Sequence, residues 1–500
     1  MDGIAHTAPF VYDTLIGFDH TIEARDQTSS TSTYTFTSWS DGGAQSHQIL
    51  VPDTDQSYQA TYQETTPAAA GVGTEPVTTA TVLLTVPSVL EGRALTPVVL
   101  PSETVWDLGD RGAGIPEPGN ILTRLDDFRQ RGRFHDITGA GMTAVIIDTG
   151  IDVDHPFFGP DGDHNGVADR IVFQWDFADN DADASDRVGH GSHIASLIGS
   201  EDLTYPGVAP EADLIALKVF SDTGTGTFAF VEQALQWVVA HAAEYSIDVV
   251  NLSLGDGQNW TTPDSHYGIG DEFAALANDG IIVVAAAGNN FFTAQSLPGV
   301  AYPAADPNVI GVGAVWTQDF GGPWRWSSGA IDLTTGPDRI ASFSQRDPTM
   351  TEIFAPGARL IGANQLGGIV TMQGTSQAAA YLSGTALLAQ QVAEHDLGRK
   401  LTPQEFTDLL VATSKRIVDG DDEQDNVVNT GLTFPRVDML QLAKGIHRYA
   451  VWERGEESHH HSEQGFALAY AQRGWVKDYV AGTAAESVHD EEELLIALPG

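Results

Sequence analysis

The chain has 500 residues, 42% of them apolar, which at about 150 residues per domain allows two to four domains, each with its own core. Its 68 acidic residues outnumber the 24 basic ones and give a formal net charge of −44, a field that repels phosphate backbones and anionic lipid and excludes nucleic-acid binding. The absence of cysteine excludes disulfides and Cys-ligated zinc, and the longest apolar runs have the length of strands, so no membrane span is predicted.

Short β-prone runs broken by turn signals fill residues 1–64 and predict a small all-β module. Residues 38–63 resemble the closing half of β-sandwich repeats in large secreted bacterial and archaeal proteins. On that resemblance the module is partial and either binds a surface or polymer or serves as a spacer. Because no signal peptide follows Met1, we expect one upstream of this chain, together with the missing half of the module.

Residues 65–98 predict a linker, since the first part is rich in Thr, Ala, Pro and Gly without periodicity and only a short β-prone run follows it. From residue 99 to residue 450, apolar strands alternate with helical patterns. Strands are predicted at 143–148, 212–220, 248–254, 281–287 and 309–315, and helices at 228–245 and 267–278. This alternation predicts an α/β fold with a doubly wound parallel sheet, in which ligands bind beyond the carboxyl ends of the strands.

Three glycine-punctuated segments place polar residues where such a sheet would use them. Asp148 ends the first of these strands, His190 stands between two glycines at a predicted helix start, and Ser376 lies in the first turn of a long apolar helix. Each alone has a plain structural role, as a turn Asp, a structural His or a helix cap. Together they occur in the order Asp, His, Ser, at separations of 42 (190 − 148) and 186 (376 − 190) residues, which favours a nucleophilic triad.

The segments DTGID, GHGSHIAS and GTSQAAA resemble the three catalytic boxes of the subtilisin-like serine protease (subtilase) family, whose chain order is Asp, His, Ser. The resemblance covers about residues 140–440. It implies a subtilisin-like fold and a secreted endopeptidase that hydrolyses peptide bonds of protein or peptide substrates through an acyl-enzyme. On this basis 99–450 is the peptidase domain.

The resemblance assigns a role to each polar residue. Ser376 Oγ is the nucleophile, His190 takes its proton and returns it to the leaving amine, and Asp148 orients the imidazole. Asn289 follows the strand at 281–287 in the sequence AAGN and resembles the asparagine that completes the oxyanion hole of the family. A turn asparagine is the interpretation that AAGN alone would favour.

The resemblance also implies that an extended substrate is held between two strand edges and that its side chain enters a pocket before the scissile bond. The residues concerned are Gly224, Thr225 and Gly226 on one edge, Ser253, Leu254 and Gly255 on the other, and Ala287, Gly288 and Ala301 in the pocket. The pocket residues are small and uncharged, which predicts broad specificity with an apolar preference.

Two positions depart from the serine box of the family, which has Ser-Met-Ala-Ala-Pro. Gln377 replaces the oxidisable Met beside the nucleophile, which predicts lower sensitivity to peroxide. Ala380 replaces the Pro, and Ala is the better helix former. Neither change removes a catalytic group.

Between the Asp and His motifs lies an acidic loop with the ligand spacing of an EF-hand. Asp161, Asp163, Asn165 and Asp169 occupy positions 1, 3, 5 and 9, with glycine at position 6, but position 12 is valine instead of glutamate. A further ligand would come from the cluster of Asp176, Asp179, Asp181, Asp183 and Asp186. The prediction is a structural calcium ion, with a solvated acidic loop as the alternative, and no cofactor is expected for catalysis.

Three other functions explain less of the pattern. An aspartic protease would use Asp148 with the second Asp-Thr-Gly at Asp222, but alternating strands and helices do not fit a double β-barrel. An α/β-hydrolase would have a G-x-S-x-G elbow and another triad order. A binding protein on an inactive protease scaffold would have lost a catalytic position, whereas all four are present.

Residues 451–500 predict a short acidic tail, in which the three histidines at 459–461 are more plausibly incidental than a metal site. The large acidic excess with few lysines makes tolerance of high salt, or halophily, a hypothesis. We expect a monomeric protein that acts outside the cell.

Overall fold

The computed structural model describes residues 10–11, 19–28, 33–50, 56–65, 82–86, 97–100, 103–105, 118–420 and 423–454. The chain divides into two compact units, Met1–Thr96 and Pro97–Gly500. The acidic tail predicted for 451–500 lies outside the described residues from residue 455 onward.

All the described elements of the first unit are strands. They are β1 (Phe10–Val11), β2 (Asp19–Glu23), β3 (Gln27–Thr28), β4 (Thr33–Trp39), β5 (Ser46–Leu50), β6 (Gln56–Thr65) and β7 (Val82–Val86). Five of them form one sheet in the order β1-β7-β6-β4-β3, and β2 pairs with β5. Strand β7 lies within the region 65–98 predicted as a linker and pairs antiparallel with β6. The likeness of this unit to half of a β-sandwich repeat stays a prediction.

The second unit carries the remaining elements. Its strands are β8 (Pro97–Val98), β9 (Glu103–Val105), β10 (Thr143–Asp148), β11 (Ile171–Asp176), β12 (Asp213–Lys218), β13 (Gly226–Thr227), β14 (Ile247–Leu252), β15 (Ile282–Ala286), β16 (Ile310–Trp316), β17 (Trp324–Arg325), β18 (Ile331–Asp332), β19 (Ile353–Ala358), β20 (Leu360–Ala363), β21 (Ile369–Gln373), β22 (Lys415–Val418) and β23 (Thr433–Arg436). Its helices are α1 (Pro118–Leu122), α2 (Leu125–Gln130), α3 (His190–Gly199), α4 (Phe228–His241), α5 (Gly270–Asn278), α6 (Thr375–Leu397), α7 (Pro403–Ala412) and α8 (Met439–Glu453), with a 3₁₀ helix at Pro156–Phe158.

A nine-stranded sheet forms the centre of this unit, in the order β11-β12-β10-β14-β15-β16-β19-β23-β22. All neighbouring strands in it are parallel except the last pair. The order runs in opposite directions from β10, so the carboxyl ends of β10 and β14 border the switch point where such sheets bind ligands. The predicted doubly wound α/β fold is confirmed.

Strand β10 shows why the sheet is covered on both faces. All six of its residues are buried, and successive side chains point to opposite sides. Ala144 and Ile146 join the core under α3, α6 and α8, whereas Val145 and Ile147 join the core under α4 and α5. Each such buried Val or Ile contributes about 1.5–3 kcal/mol, and both cores hold β10 in place.

The five predicted strands are confirmed to within two residues at each end. The two helices are shorter than predicted. Helix α4 ends at His241 instead of residue 245, since the chain turns there and Ser246 has a φ of 52°. Helix α5 begins at Gly270 instead of residue 267, because Tyr267 has a φ of 59°, which no helix interior adopts. Among the described residues, no helix is both long and apolar enough to cross a membrane.

Candidate active site

Asp148 and His190 meet at the carboxyl end of β10. His190 Nδ1 lies 2.7 Å from Asp148 Oδ1, and the two side chains are 4% and 0% exposed. The other imidazole nitrogen, Nε2, is buried and has no hydrogen-bond partner in the described part of the chain. An imidazole held by a carboxylate on one nitrogen, with the other available, can take and return a proton.

Two glycines allow this close approach. Gly150 has a φ of 101°, a conformation that side chains other than glycine rarely adopt. A Cβ on Gly191 would collide with the Gly150 carbonyl oxygen and lie 3.2 Å from Asp148 Oδ1. The glycines in the DTG and GHG motifs therefore let β10 and the start of α3 pack backbone to backbone.

A second carboxylate, that of Asp186, lies close to these two residues in the fold. Asp186 is 3% exposed and accepts five hydrogen bonds. The donors are Thr149 Oγ1 at 2.9 Å, the backbone N–H groups of Val188, Gly189 and Ser192 at 2.7–2.9 Å, and Ser192 Oγ at 2.7 Å. Burial raises the pKa of Asp186, although these donors oppose the shift. Because Gly189 offers no side-chain cap, Asp186 supplies the capping oxygens at the start of α3 and ties that helix to the turn after β10.

Ser376 is the second residue of α6 and is fixed by a reciprocal pair of hydrogen bonds. Its hydroxyl donates to the Ser253 carbonyl at 3.1 Å, and the Ser253 hydroxyl donates to the Ser376 carbonyl at 2.8 Å. Asn251 extends this contact, since its Nδ2 donates to Ser253 Oγ at 2.9 Å and its Oδ1 accepts from Ser383 Oγ at 2.9 Å. The serine therefore stands at the positive end of a 23-residue helix, beside the end of β14.

Asn289 follows β15 and is tied to the residue before Ser376. Its Oδ1 accepts from Thr375 N at 3.0 Å and from Thr375 Oγ1 at 2.9 Å. Thr375 Oγ1 in turn accepts from Gly288 N at 3.0 Å. Because Oδ1 is engaged twice, the amide is oriented and its Nδ2 remains as the donor group.

The pocket residues predicted from the sequence come together. A Cβ on Gly255 would lie 3.2 Å from Ala301 Cβ, and one on Gly288 would lie 3.0 Å from the same atom. Ala301 N donates to the Ala287 carbonyl at 2.8 Å. Ser253, Leu254 and Ala287 are fully buried. The small, uncharged residues predicted for the pocket thus pack together at the ends of β14 and β15.

The second predicted edge is shorter than expected. Gly226 belongs to strand β13, but Gly224 and Thr225 lie in a turn, in which Ser221 N donates to the Thr225 carbonyl at 2.8 Å. The turn favours glycine at position 224, because the φ there is 78°. Backbone pairing at this edge is therefore carried by Gly226 and Thr227.

The acidic loop brings three of its four predicted ligands together. Carboxylate oxygens of Asp161, Asp163 and Asp169 lie within 4.8 Å of one another. Asn165 is used within the loop instead, since its Oδ1 accepts from Val167 N at 2.8 Å and its Nδ2 donates to Asp163 Oδ2 at 3.0 Å. The backbone N–H groups of Gly166 and Asn165 donate to the Asp161 carboxylate and lower its pKa. Three converging hard oxygens fit a divalent cation such as calcium.

The neighbouring aspartates do not complete that site among the described residues. Asp176 forms a buried ion pair with Lys218 at 2.7 Å, and Asp186 lies under α3. Burial alone would lower the pKa of Lys218, but the hydrogen bond to Asp176 raises it, which keeps the ammonium group charged. Using these two carboxylates as spare calcium ligands was a wrong expectation, because each is occupied by donors within the fold.

The sequence indicated no active-site role for three residues that organise the site, Asp186, Thr375 and Asn251. Asp186 had one usable signal, its position four residues before His190 at the start of a helix that lacks a side-chain cap. Thr375 and Asn251 act through partners distant in the chain, which local patterns do not indicate.

Comparison with known proteins gives consistent matches to one family. The model of the subtilase family matches residues 139–435. Alkaline serine exoprotease A of Vibrio alginolyticus is 33% identical over 253 residues, 51% of this chain and 39% of that protein. A subtilisin-like protease of Coccidioides posadasii (strain C735) is 32% identical over 287 residues, 57% of this chain and 58% of that protein. A solved structure of a cold adapted subtilisin-like serine proteinase is 30% identical, with coverage of 56% and 84% and a TM-score of 0.43. The chain thus spans about two to three fifths of the length of these two curated relatives.

Proposed function

This chain belongs to the subtilase family, and from that premise we propose that it is a serine endopeptidase that uses Asp148, His190 and Ser376 as its triad. The observation that carries the proposal is the 2.7 Å contact of the buried Asp148 carboxylate with His190 Nδ1, which leaves Nε2 as the proton acceptor. Asp148 orients the ring and stabilises the imidazolium that forms when Ser376 attacks.

The reaction proceeds in two halves. Ser376 Oγ attacks the scissile carbonyl as His190 takes its proton, and His190 then gives that proton to the departing amine, which leaves an ester on Ser376. Water attacks this acyl-enzyme in the same manner and releases the carboxylate product. No cofactor is required for either half.

The oxyanion is stabilised by donors that are in place before the reaction. Asn289 Nδ2 serves as one donor, because Thr375 holds Oδ1 in the opposite role. The backbone N–H of Ser376 at the start of α6 serves as the second, supported by the helix dipole. Removing one such donor in a serine protease typically costs about 10²–10³ in kcat.

Specificity is inferred from Gly255, Gly288 and Ala301, which lie together. These residues are small and carry no charge, so we propose broad specificity with a preference for an apolar residue before the scissile bond. The extracellular location, the monomeric state and the surface-binding role of residues 1–64 stay predictions.

A small serine-directed fluorophosphonate tests the triad, since it does not need an extended cleft. We expect it to label Ser376 in the wild-type protein, to label nothing in Ser376→Ala and to react much more slowly with His190→Ala. Peptide mass spectrometry locates the label. A folded wild-type protein that takes no label, as an inactive binding scaffold would, contradicts the proposal.

We also propose that Asp161, Asp163 and Asp169 bind a structural calcium ion. The support is the convergence of three carboxylates that would otherwise repel one another. The midpoint of thermal unfolding (Tm) should rise when millimolar calcium replaces a chelator, because a ligand that binds only the folded state stabilises it. An unchanged Tm contradicts this assignment without affecting the triad.

A further inference from the structure

The two helices that carry His190 and Ser376 both line one cavity. Its volume is about 280 Å³, and its lining includes Ser196 of α3 and Tyr381 of α6. Pockets for drug-sized ligands have volumes of about 300–1,000 Å³, so this cavity suits a smaller molecule. Its lining includes no residue of the triad, of the two substrate edges or of the acidic loop. A ligand in this cavity would therefore bind apart from the substrate.

Part of the lining of the cavity is aliphatic. Leu197, Leu360 and Ile361 contribute to it, together with Leu203 from the loop after α3. Leu203 is 99% exposed, so the cavity opens to solvent beside that loop. A branched aliphatic group on a ligand would remove these side chains from water, which favours its binding.

Asn120 lines the same cavity and has an unused hydrogen-bond donor. The residue is 4% exposed, and its Oδ1 accepts from the Tyr381 hydroxyl at 3.0 Å. Among the residues that the structure describes, its Nδ2 has no hydrogen-bond partner. Because a buried amide N–H without an acceptor is costly, this group points to an acceptor atom on a ligand.

Two partly exposed residues of α2 add opposite charges to the lining. Arg129 Nη2 donates to the carbonyls of Gly207 and Val208 at 2.6 and 3.1 Å, but Arg129 forms no ion pair within the described part of the chain. Asp126, one turn earlier, has neither an ion pair nor a hydrogen bond to its carboxylate there, and burial raises its pKa. A cation and an anion that both lack a charged partner match a molecule that carries a carboxylate and an ammonium group.

We propose that this cavity binds a small zwitterion, an α-amino acid with an aliphatic side chain such as leucine. The carboxylate of the ligand accepts from Asn120 Nδ2 and Arg129, and its ammonium group donates to Asp126. Its side chain covers the aliphatic part of the lining. This binding goes beyond the proposed function and does not require the triad.

Isothermal titration calorimetry of the full chain with L-leucine tests the site. We expect saturable binding of one leucine per chain. Isocaproate lacks the ammonium group and isoamylamine lacks the carboxylate, so each should bind about tenfold more weakly or less, the effect of losing one charge-assisted hydrogen bond. No binding of leucine, or equal affinity for the three compounds, overturns the inference.

Two nearly isosteric variants locate the ligand. Asp126→Asn removes the anionic charge, and Asn120→Asp removes the Nδ2 donor but keeps the acceptor for Tyr381. Each should weaken leucine binding about tenfold, with a Tm that shows a folded protein. Asp127→Asn is the matched control and should bind as wild type does, since Asp127 is an exposed residue of α2 outside the cavity lining. Unchanged binding in both folded cavity variants places the ligand elsewhere and overturns the inference.

Ser376→Ala separates this site from the proposed function. This variant should bind leucine as wild type does, whether or not the wild-type protein hydrolyses peptides. Loss of leucine binding in folded Ser376→Ala would place the ligand at the nucleophile and overturn the inference. Failure of the fluorophosphonate to label Ser376 would count against the triad alone.

Discussion

The floor of the active site, formed by Asp148 and Asp186 at the start of α3, and the loop at 161–169 both contain aspartates. The environments of the aspartates in these two regions are opposite. Asp186 in the floor is 3% exposed and accepts five hydrogen bonds from fixed donors. Asp163 in the loop is exposed and faces two more carboxylates. The density of acidic residues in the sequence therefore does not assign their role, whereas their burial and the supply of hydrogen-bond donors around them do.

This difference predicts separate consequences for catalysis and stability. Changes in the floor should lower kcat, because they disturb groups that hold the reacting atoms. Changes in the loop should affect only the calcium-dependent part of stability.

The largest effect is expected for Asn289→Ala. Loss of the side-chain oxyanion donor should lower kcat by about 10²–10³ and leave KM almost unchanged, because the donor acts mainly in the transition state. Steady-state hydrolysis of a chromogenic peptide anilide measures both constants. A fall of kcat below threefold would show that Asn289 only anchors Thr375.

The next effect is expected for Asp186→Asn, which tests the floor directly. The amide cannot accept all five hydrogen bonds, so the start of α3 loosens and His190 is less well oriented. We expect kcat to fall about tenfold with little change in KM, together with a lower Tm. A lower Tm with unchanged kcat would limit Asp186 to a structural role.

Glu272 is a third kind of acidic residue, a buried carboxylate with few hydrogen-bond donors around it. It is 6% exposed, and burial together with the neighbouring Asp271 and Glu232 raises its pKa to about 9. In the unfolded chain its pKa is near 4.3, so between these values the unfolded state loses the proton that the folded state keeps. This group therefore stabilises the fold least at high pH, and stability falls as pH rises from about 4.5 to about 9.

Glu272→Gln removes this pH dependence and keeps the hydrogen bond with Gln236. Urea unfolding at pH 5 and pH 9 measures the free energy of unfolding of both proteins. On going from pH 5 to pH 9, the variant should become more stable relative to wild type by on the order of 3 kcal/mol. A stability difference that is the same at both pH values would show that Glu272 is ionised in the fold.

The smallest effect is expected for Asp161→Asn in the exposed loop. The rise in Tm on adding calcium should shrink or disappear, while kcat in saturating calcium stays unchanged. Asp136→Asn is the matched control, since that side chain is 99% exposed and lies outside the loop. A calcium response that survives in Asp161→Asn would place the cation elsewhere.

The sequence was sufficient where local pattern and covalent chemistry decide the structure. Strand β10 begins and ends at the predicted residues, because its four apolar residues and the polar residue at each end are all buried between two helix layers. His190 and Asp148 could be paired because each motif carries the glycines that their contact requires.

The rest depends on partners distant in the chain. The role of Asp176 is set by Lys218, 42 residues away, and that of Asn289 by Thr375, 86 residues away. The pairing of Val99 with Gly255 was also not indicated, because the preceding residues 65–98 have the composition of a linker and a two-residue strand such as β8 has no periodicity.

Casein hydrolysis tests the central claim, a serine endopeptidase with Ser376 as nucleophile, most directly. The measurement compares wild type with Ser376→Ala, and fragments are identified by mass spectrometry. We predict internal cleavages, mostly after apolar residues, by the wild type and none by Ser376→Ala. Intact casein with folded wild type, or cleavage that persists without Ser376, would contradict the account.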